Sequence, residues 1–311
     1  MHAHSSVMAH CRDRGLAGSD FDRAVHITFG STEAGPCGAR NSRFSRVEVL
    51  LDGAQRGEVE VQKIGIVGGV AWPSTLEYYR LLCKWANAHF LQRGSDLPLP
   101  TPPMVIESLV MHETRRLRAK PGSGEEGWVA FDTVIRDALL RLQSAGCDFA
   151  IIANNTMHTR LHAVRIGLDI PIVSILEATA ATARKFGAKR ALVLGTSVTM
   201  RADDFTRALR LEDIEANARL DDQTIEGLQS LIDAEFYGAQ ATPTGRNELV
   251  KLCAKLVDDP STTIVLLACT ELPLAFPEHA EAEVFASDGF TFVNTTAVHV
   301  RAALNRSLGL A

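Results

Sequence analysis

Long apolar runs are missing from this chain: none is long enough to cross a bilayer. The opening stretch "MHAHSSVMAHCRDRG" also lacks the apolar core of a secretory signal. Basic charge is not in excess. At a net charge of -5, no global cationic field points to nucleic acid or to an anionic membrane surface. Cysteine is sparse and scattered. Cys11, Cys37, Cys83, Cys147, Cys253 and Cys269 contain no CxxC or other metal-ligand spacing, so a metal site is not expected. Structural disulfides are not expected either in a chain of this size and cytosolic character. The complete GxGxxG fingerprint is absent too, because Gly65, Gly68 and Gly69 in "KIGIVGG" are wrongly spaced for a dinucleotide loop. These absences lead to the expectation of a cytoplasmic protein without nucleic-acid, membrane or metal partners. What is present is ordinary globular material: 311 residues, 46% hydrophobic and 22% charged, enough for one large or two modest domains.

Residues 1–61 read differently from the rest. "GSTEAGPCGARNSRFSR" is rich in Gly, Ser and Arg without a sustained period, so a poorly structured extension is expected, dispensable for the fold. A short strand or helix is possible around "RVEVLLDG", with nothing evident for it to pack on. From Gln62 onward, apolar runs alternate with amphipathic stretches. "KIGIVGG", "PPMVIESLV", "DFAIIA", "IPIVSI", "RALVLGT", "DIEANA", "TTIVLLA" and part of "EVFASDGFTFVNTT" read as strands. Between and after them lie helical patterns, among them "STLEYYRLLCKWANAHFL", with Pro73 near its start and Ser74 or Thr75 placed to cap it. Others are "GWVAFDTVIRDALLRLQSAG", a helix from about Met157, "LEATAATARKFG" and the closing "AVHVRAALNRSL". Buried apolar strands alternating with helices predict an α/β fold with parallel sheets.

In open parallel sheets, ligands bind beyond the carboxyl ends of the strands. The residues there are Gly68 and Gly69, Asn154 to Thr156, Gly195 to Thr199, and Cys269 to Glu271, all small or polar. Glycine lets a backbone approach a ligand closely. Asn155, Thr156, Thr196, Thr199 and Thr270 offer donors at helix amino ends, a lining suited to a carboxylate or phosphate. A lone cysteine after an apolar strand is commonly a small buried hydrophobe. Cys269 sits where a helix amino end would favour its thiolate, which marks it as a candidate acid/base. His158 has two readings, holding the loop or touching substrate. His112 and Arg115 follow another strand end and offer a cation for a second carboxylate, whereas Arg116 and Arg118 read as surface.

Together, "IGIVGGVAWPSTLEYYRLL", "ANNTMH", "LVLGTSVTM", "ACTELPL" and "VNTTAVHVRAAL", in that order, resemble the aspartate/glutamate racemase family. The resemblance runs from about Lys63 to Leu308. It implies two similar α/β lobes about a pseudo-twofold axis, 62–172 plus 293–311 and 173–292, with the active site in the cleft between them. It also implies chemistry without a cofactor, a small carboxylate or amino-acid substrate and a homodimer. Substrate contacts would come from Gly69, Asn155, Thr156, His158, Thr196, Thr199, Thr270, Glu271 and His112.

In the usual member both facing corners carry cysteine. One thiolate takes the α-proton and the opposite thiol returns one to the other face. Here the first position is Asn154, and an amide is neither acid nor base near neutrality. Cys147 precedes its strand and belongs at the far end, on the order of 20 Å away. The expected activity is therefore that of a racemase-family isomerase acting on aspartate, glutamate or a related carboxylate, with Cys269 as acid/base and Asn154 opposite it. The alternatives are a single-cysteine decarboxylase or lyase of the same superfamily, and a non-catalytic binder of dicarboxylates.

Overall fold

The computed structural model describes residues 46–51, 55–94, 99–119, 123–217, 220–236 and 241–310. Strands β1 (Arg46–Leu51) and β2 (Gln55–Glu60) form an antiparallel hairpin, with Arg46 opposite Glu60 and Leu51 opposite Gln55. The strand considered around "RVEVLLDG" thus has a partner that the sequence reading missed. The rest of the expectation for the amino-terminal extension, over 1–45, lies outside the described residues.

A three-stranded parallel sheet follows. Strand β3 (Ile64–Gly68) leads into α1 (Trp72–Gln92), and β4 (Met104–Ser108) into α2 (Met111–Leu117) and then α3 (Val129–Ser144). Strand β5 (Phe149–Ile152) leads into two short helices, α4 (Asn155–His158) and α5 (Leu161–Val164). The strand order is β4-β3-β5, with Ile66 between Ile106 and Ile151. Helix α6 (Ile175–Lys185) then enters the second half: β6 (Arg190–Gly195), α7 (Ser197–Arg201), α8 (Asp204–Leu211), β7 (Glu215–Ala216), α9 (Asp222–Leu231) and α10 (Pro243–Leu256). The chain ends with β8 (Thr263–Ala268), β9 (Val284–Ser287), β10 (Phe290–Asn294) and α11 (Thr295–Ser307). Here the order is β7-β6-β8-β10-β9, parallel except where β9 pairs antiparallel with β10. This is the α/β fold with helix-flanked parallel sheets expected from the sequence.

The central strands β3, β5 and β8 are buried at every position. That is why they read as unbroken apolar runs rather than alternating ones. Each sheet is covered on both faces. Leu81, Leu82 and Phe90 of α1, with Val300 and Leu304 of α11, pack on one side of the first sheet. Phe131, Ile135 and Leu139 of α3 pack on the other. Ile175 and Ala183 of α6 and Phe205 of α8 cover one face of the second sheet, while Leu228 of α9 and Leu249 of α10 cover its opposite face. Helix α11 leaves the second sheet at Asn294, whose side chain caps it at Ala297 N (3.2 Å), and packs on α1 and α6.

Three local readings change. The segment "IPIVSI" makes only a bridge, Ala150 with Ile172. Pro171 has no N–H to add to the ladder, and Ser174 already caps α6 by accepting from Glu177 N. The helix expected from Met157 is broken into α4 and α5; the Thr159 hydroxyl takes the Thr156 carbonyl at 2.8 Å, a side-chain bond that competes with the helical ladder. Helix α1 begins without a side-chain cap. Thr75 instead accepts from Gly69 N (2.8 Å), and Ser74 turns toward the end of β8.

Candidate active site

The ends of β5, β6 and β8 converge on one narrow cleft. Asn154, at the end of β5, is extended (φ -166°), and its Oδ1 caps α4 by accepting from Met157 N at 3.1 Å. Asn155 is 3% exposed and lines the cleft. Its Oδ1 lies 3.3 Å from Thr295 Oγ1, whose proton also serves the Leu267 carbonyl at 2.8 Å. Among the described residues, Asn155 Nδ2 is buried with no hydrogen-bond acceptor. A buried amide donor left unpaired costs free energy, which a ligand oxygen would recover. Thr156 Oγ1 stands 3.0 Å from Thr196 Oγ1 and 3.3 Å from Thr199 Oγ1, and Thr196 and Thr199 are themselves 3.0 Å apart. This triangle of hydroxyls joins the β5 corner to the β6 corner. Gly195 permits the approach of β6 to β8, since a Cβ there would come within 2.5 Å of the Ala268 carbonyl oxygen.

Cys269 closes the cleft from the end of β8. Its Sγ donates to Glu271 Oε2 at 3.0 Å, and Thr270 Oγ1 donates to the same oxygen at 2.8 Å. Ser74 Oγ, 2.6 Å from Thr270 Oγ1, completes a line of hydroxyls from α1 to the carboxylate. Burial pushes the Cys269 thiol well above its ordinary pKa, and the negative charge of Glu271 and its hydrogen bond push the same way. Backbone N–H groups of Glu271 and Leu272 oppose this but do not prevail. The expectation that a helix end would favour thiolate is thus corrected: only a 3-10 turn, Leu272–Ala275, follows the thiol. Desolvation and a like charge dominate over that short dipole.

Other expected residues are placed differently. Gly69 adopts φ +76°, and a Cβ on it would strike the Leu109 backbone, so its close approach is to the neighbouring strand end. Thr199 lies behind Thr156 and Thr196, fully buried. His158 is in the core. Its Nε2 faces the Ile152 carbonyl at 3.3 Å, its Nδ1 accepts from Ile175 N at 3.4 Å, and its ring packs edge-on to His299. Of its two readings, the geometry matches holding the loop. His112 is exposed on α2 and is not among the residues that line the cleft, whereas Arg115 and Arg118 of the same segment are. Arg118 had read as surface.

Sequence reasoning also missed Gln229, Ile232 and Asp233. They follow no apolar strand. Their spacing places them on one face of α9 and its π-helical continuation Ile232–Phe236, a helical irregularity common at functional sites. Gln229 accepts from Ser197 N (2.9 Å) and donates to Asp233 Oδ2 (3.1 Å). Two guanidinium groups and two carboxylates, those of Asp233 and Glu271, therefore border the space between Asn154 and Cys269.

A family model described as "Asp/Glu/Hydantoin racemase" matches residues 67–303, a span holding all of these corners. The chain belongs to that family. Solved racemase structures share its fold. An aspartate racemase homologue from Pyrococcus horikoshii OT3 is 26% identical with a TM-score of 0.61, covering 79% of this chain and 99% of its own. A putative Asp/Glu racemase from Yersinia pestis is 23% identical with a TM-score of 0.64, covering 79% and 99%. The aspartate racemase of Picrophilus torridus is 19% identical with a TM-score of 0.58, covering 80% and 94%. At these identities the last two speak for the fold alone. Among the described residues of this racemase-family chain, no group of three or more His, Cys, Asp or Glu is arranged to hold a metal ion. No helix among them is long and apolar enough to cross a membrane.

Proposed function

We propose that this chain moves a proton at the α-carbon of an acidic amino acid, aspartate or glutamate, or of a related small carboxylate, with Cys269 as the acid/base. The supporting observation is the buried Cys269 thiol, held 3.0 Å from Glu271 in a cleft that also holds the unpaired amide donor Asn155 Nδ2 and is lined by Arg115 and Arg118. One carboxylate of the substrate takes Asn155 Nδ2 and the hydroxyls of Thr156 and Thr196. Arg115 and Arg118 hold the second carboxylate, and Asp233 is the counter-charge for an ammonium group. Glu271 is the internal base. It accepts the Sγ proton when the thiolate is needed, and returns it when the thiol protonates the planar carbanion. No cofactor enters this scheme. The same reading places the protein in the cytoplasm as a homodimer, with lobes 62–172 plus 293–311 and 173–292 about the cleft.

The raised pKa of Cys269 and the amide at Asn154 also favour a second reading of the same site. A thiol that rests protonated is prepared to deliver a proton, and only one face of the carbanion meets it. Decarboxylation of a malonate-type diacid, with protonation from the Cys269 side, needs nothing more. Incubating both enantiomers of aspartate and glutamate, and a set of substituted malonates, in deuterated water separates the two. Deuterium at Cα with loss of optical purity supports racemisation. Carbon dioxide release with a single product enantiomer supports the lyase. Saturable binding without either contradicts catalysis at the α-carbon.

A further inference from the structure

The hydroxyl of Ser74 is not spent on its own helix. Serine near a helix start commonly bonds the local backbone. Helix α1 instead begins without a side-chain cap, and Ser74 Oγ reaches across 196 residues of sequence to Thr270 Oγ1 at 2.6 Å. The direction of that bond follows from its neighbour. Thr270 has one hydroxyl proton and gives it to Glu271 Oε2 at 2.8 Å, so Ser74 is the donor to Thr270. Cys269 Sγ donates to the same carboxylate oxygen at 3.0 Å. Ser74, Thr270, Glu271 and Cys269 therefore form one unbroken line, with both hydroxyl protons pointing toward the carboxylate.

The two ends of this line open on different spaces. Cys269 lines the narrow cleft. Ser74 lines a groove of about 1240 Å³ beside α1, bordered by the exposed side chains of Trp72 and Tyr79. Thr270 and Glu271 line both spaces and form the wall between them.

We infer that the Cys269 thiol exchanges its proton with solvent through this wall, by way of Glu271, Thr270 and Ser74, rather than through the cleft. The inference rests on Cys269 acting as acid/base, as proposed above. A thiol that has protonated a carbanion is left as thiolate and needs one proton before the next turnover. Asn154 lines the opposite corner of the cleft and has no proton to return at neutral pH. The cleft itself, about 50 Å³, is occupied while substrate or product is bound. Inbound, a solvent proton binds Ser74 Oγ and Ser74 passes its own proton to Thr270 Oγ1. Thr270 passes its own to Glu271 Oε2, and Glu271 delivers it to the sulfur. One proton leaves solvent and one arrives on sulfur; only O–H and S–H bonds break and form, and the hydroxyls then turn back. Run in reverse, the same line carries a substrate-derived proton out. Ser74 acts through Thr270, so it is a positioning and relay residue rather than a catalytic one.

The first test needs no substrate. The full chain is transferred to deuterated water, and conversion of the Cys269 S–H to S–D is followed by Raman spectroscopy, the band being the one that Cys269→Ala lacks. Ser74→Ala should slow this conversion by about 10-fold or more, and Ser74→Thr, which keeps the hydroxyl, should restore it. Thr270→Val breaks the same line at its middle and gives a second reading should Ser74→Ala fold poorly. Conversion at the wild-type rate in a folded Ser74→Ala or Thr270→Val would overturn the relay, and so would Ser74→Thr as slow as Ser74→Ala. The second test uses turnover. In Ser74→Ala, kcat for α-proton exchange should fall with KM unchanged, and should rise again with the concentration of a small buffer acid such as imidazolium. A loss that no buffer acid relieves would mark Ser74 as structural and overturn the relay. A wild type that exchanges no α-proton contradicts the proposed chemistry, while the S–H measurement still decides the route.

Discussion

The Cys269 proton is held by a carboxylate 3.0 Å away, so the state of this thiol depends on one neighbouring side chain as well as on burial. Glu271→Gln removes the negative charge and keeps a hydrogen-bonding group. Because that charge disfavours the thiolate, the variant's thiol should titrate at lower pH than the wild type's, though burial still holds it above a free cysteine. The rate of thiol alkylation against pH measures the shift; a midpoint that stays put or rises would remove Glu271 from the site's electrostatics. Asn154 has two roles to separate. Asn154→Cys restores a thiol opposite Cys269 and should create or strongly raise racemisation of aspartate or glutamate. It also removes the cap on Met157 N, at about 1 kcal/mol of stability. Chiral chromatography and chemical denaturation read the two effects separately. A folded, ligand-binding variant with no gain in racemisation would favour a distinct chemistry built around the amide.

At the scale of elements, the structure hangs on contacts that join α1, α4, α6 and α11 beneath the cleft. Tyr78 Oη donates to His299 Nδ1 at 2.8 Å, His299 Nε2 donates to the Val173 carbonyl at 2.9 Å, and His158 packs edge-on against the same ring. Burial lowers the pKa of His299 to about 4 and holds that of His158 well below its usual value. Both rings are therefore neutral in the folded chain, while the unfolded chain binds protons near pH 6.5. The contribution of His299 to stability is complete above that pH and is lost as the pH falls from about 6.5 toward 4, and His158 acts in the same direction. His299→Gln keeps a donor and an acceptor but cannot titrate, so the loss per pH unit should shrink by about 1.4 kcal/mol in this window. Urea denaturation at stepped pH values checks the slope.

The same elements show what the sequence could reveal. Strands β3, β5 and β8 were legible because burial on both faces makes them continuous apolar runs, and the polar corners were legible because they end those runs. The face of α9 bearing Gln229 and Asp233 was not, because its role comes from where the second sheet sets the helix. Nor was the difference between His112, which points to solvent, and Arg118 six residues further on, which reaches the cleft. Side-chain direction along a short helix is decided by tertiary contacts. The hairpin of β1 and β2 was hidden because its partner strand, "QRGEVE", has almost no apolar signal.

For the whole molecule, two sheets aim their strand ends at one cleft, and the family match spans nearly all of that frame. The cleft is narrow, about 50 Å³, against roughly 300–1,000 Å³ for pockets that enclose ligands. Admitting an amino acid therefore requires its walls to part. They would close again on the carboxylates, excluding water from Cys269 and strengthening every charge in the site. The central claim is that this closed cleft exchanges an α-proton through the Cys269 thiol. Proton nuclear magnetic resonance of aspartate, glutamate and small carboxylates in deuterated water, with wild type and Cys269→Ala side by side, tests it most directly. The account predicts loss of the α-proton signal with wild type and a rate lower by about 10²- to 10⁴-fold, or undetectable, in a variant that still binds ligand. Undiminished exchange in Cys269→Ala, or none in folded wild type across the whole panel, would contradict it.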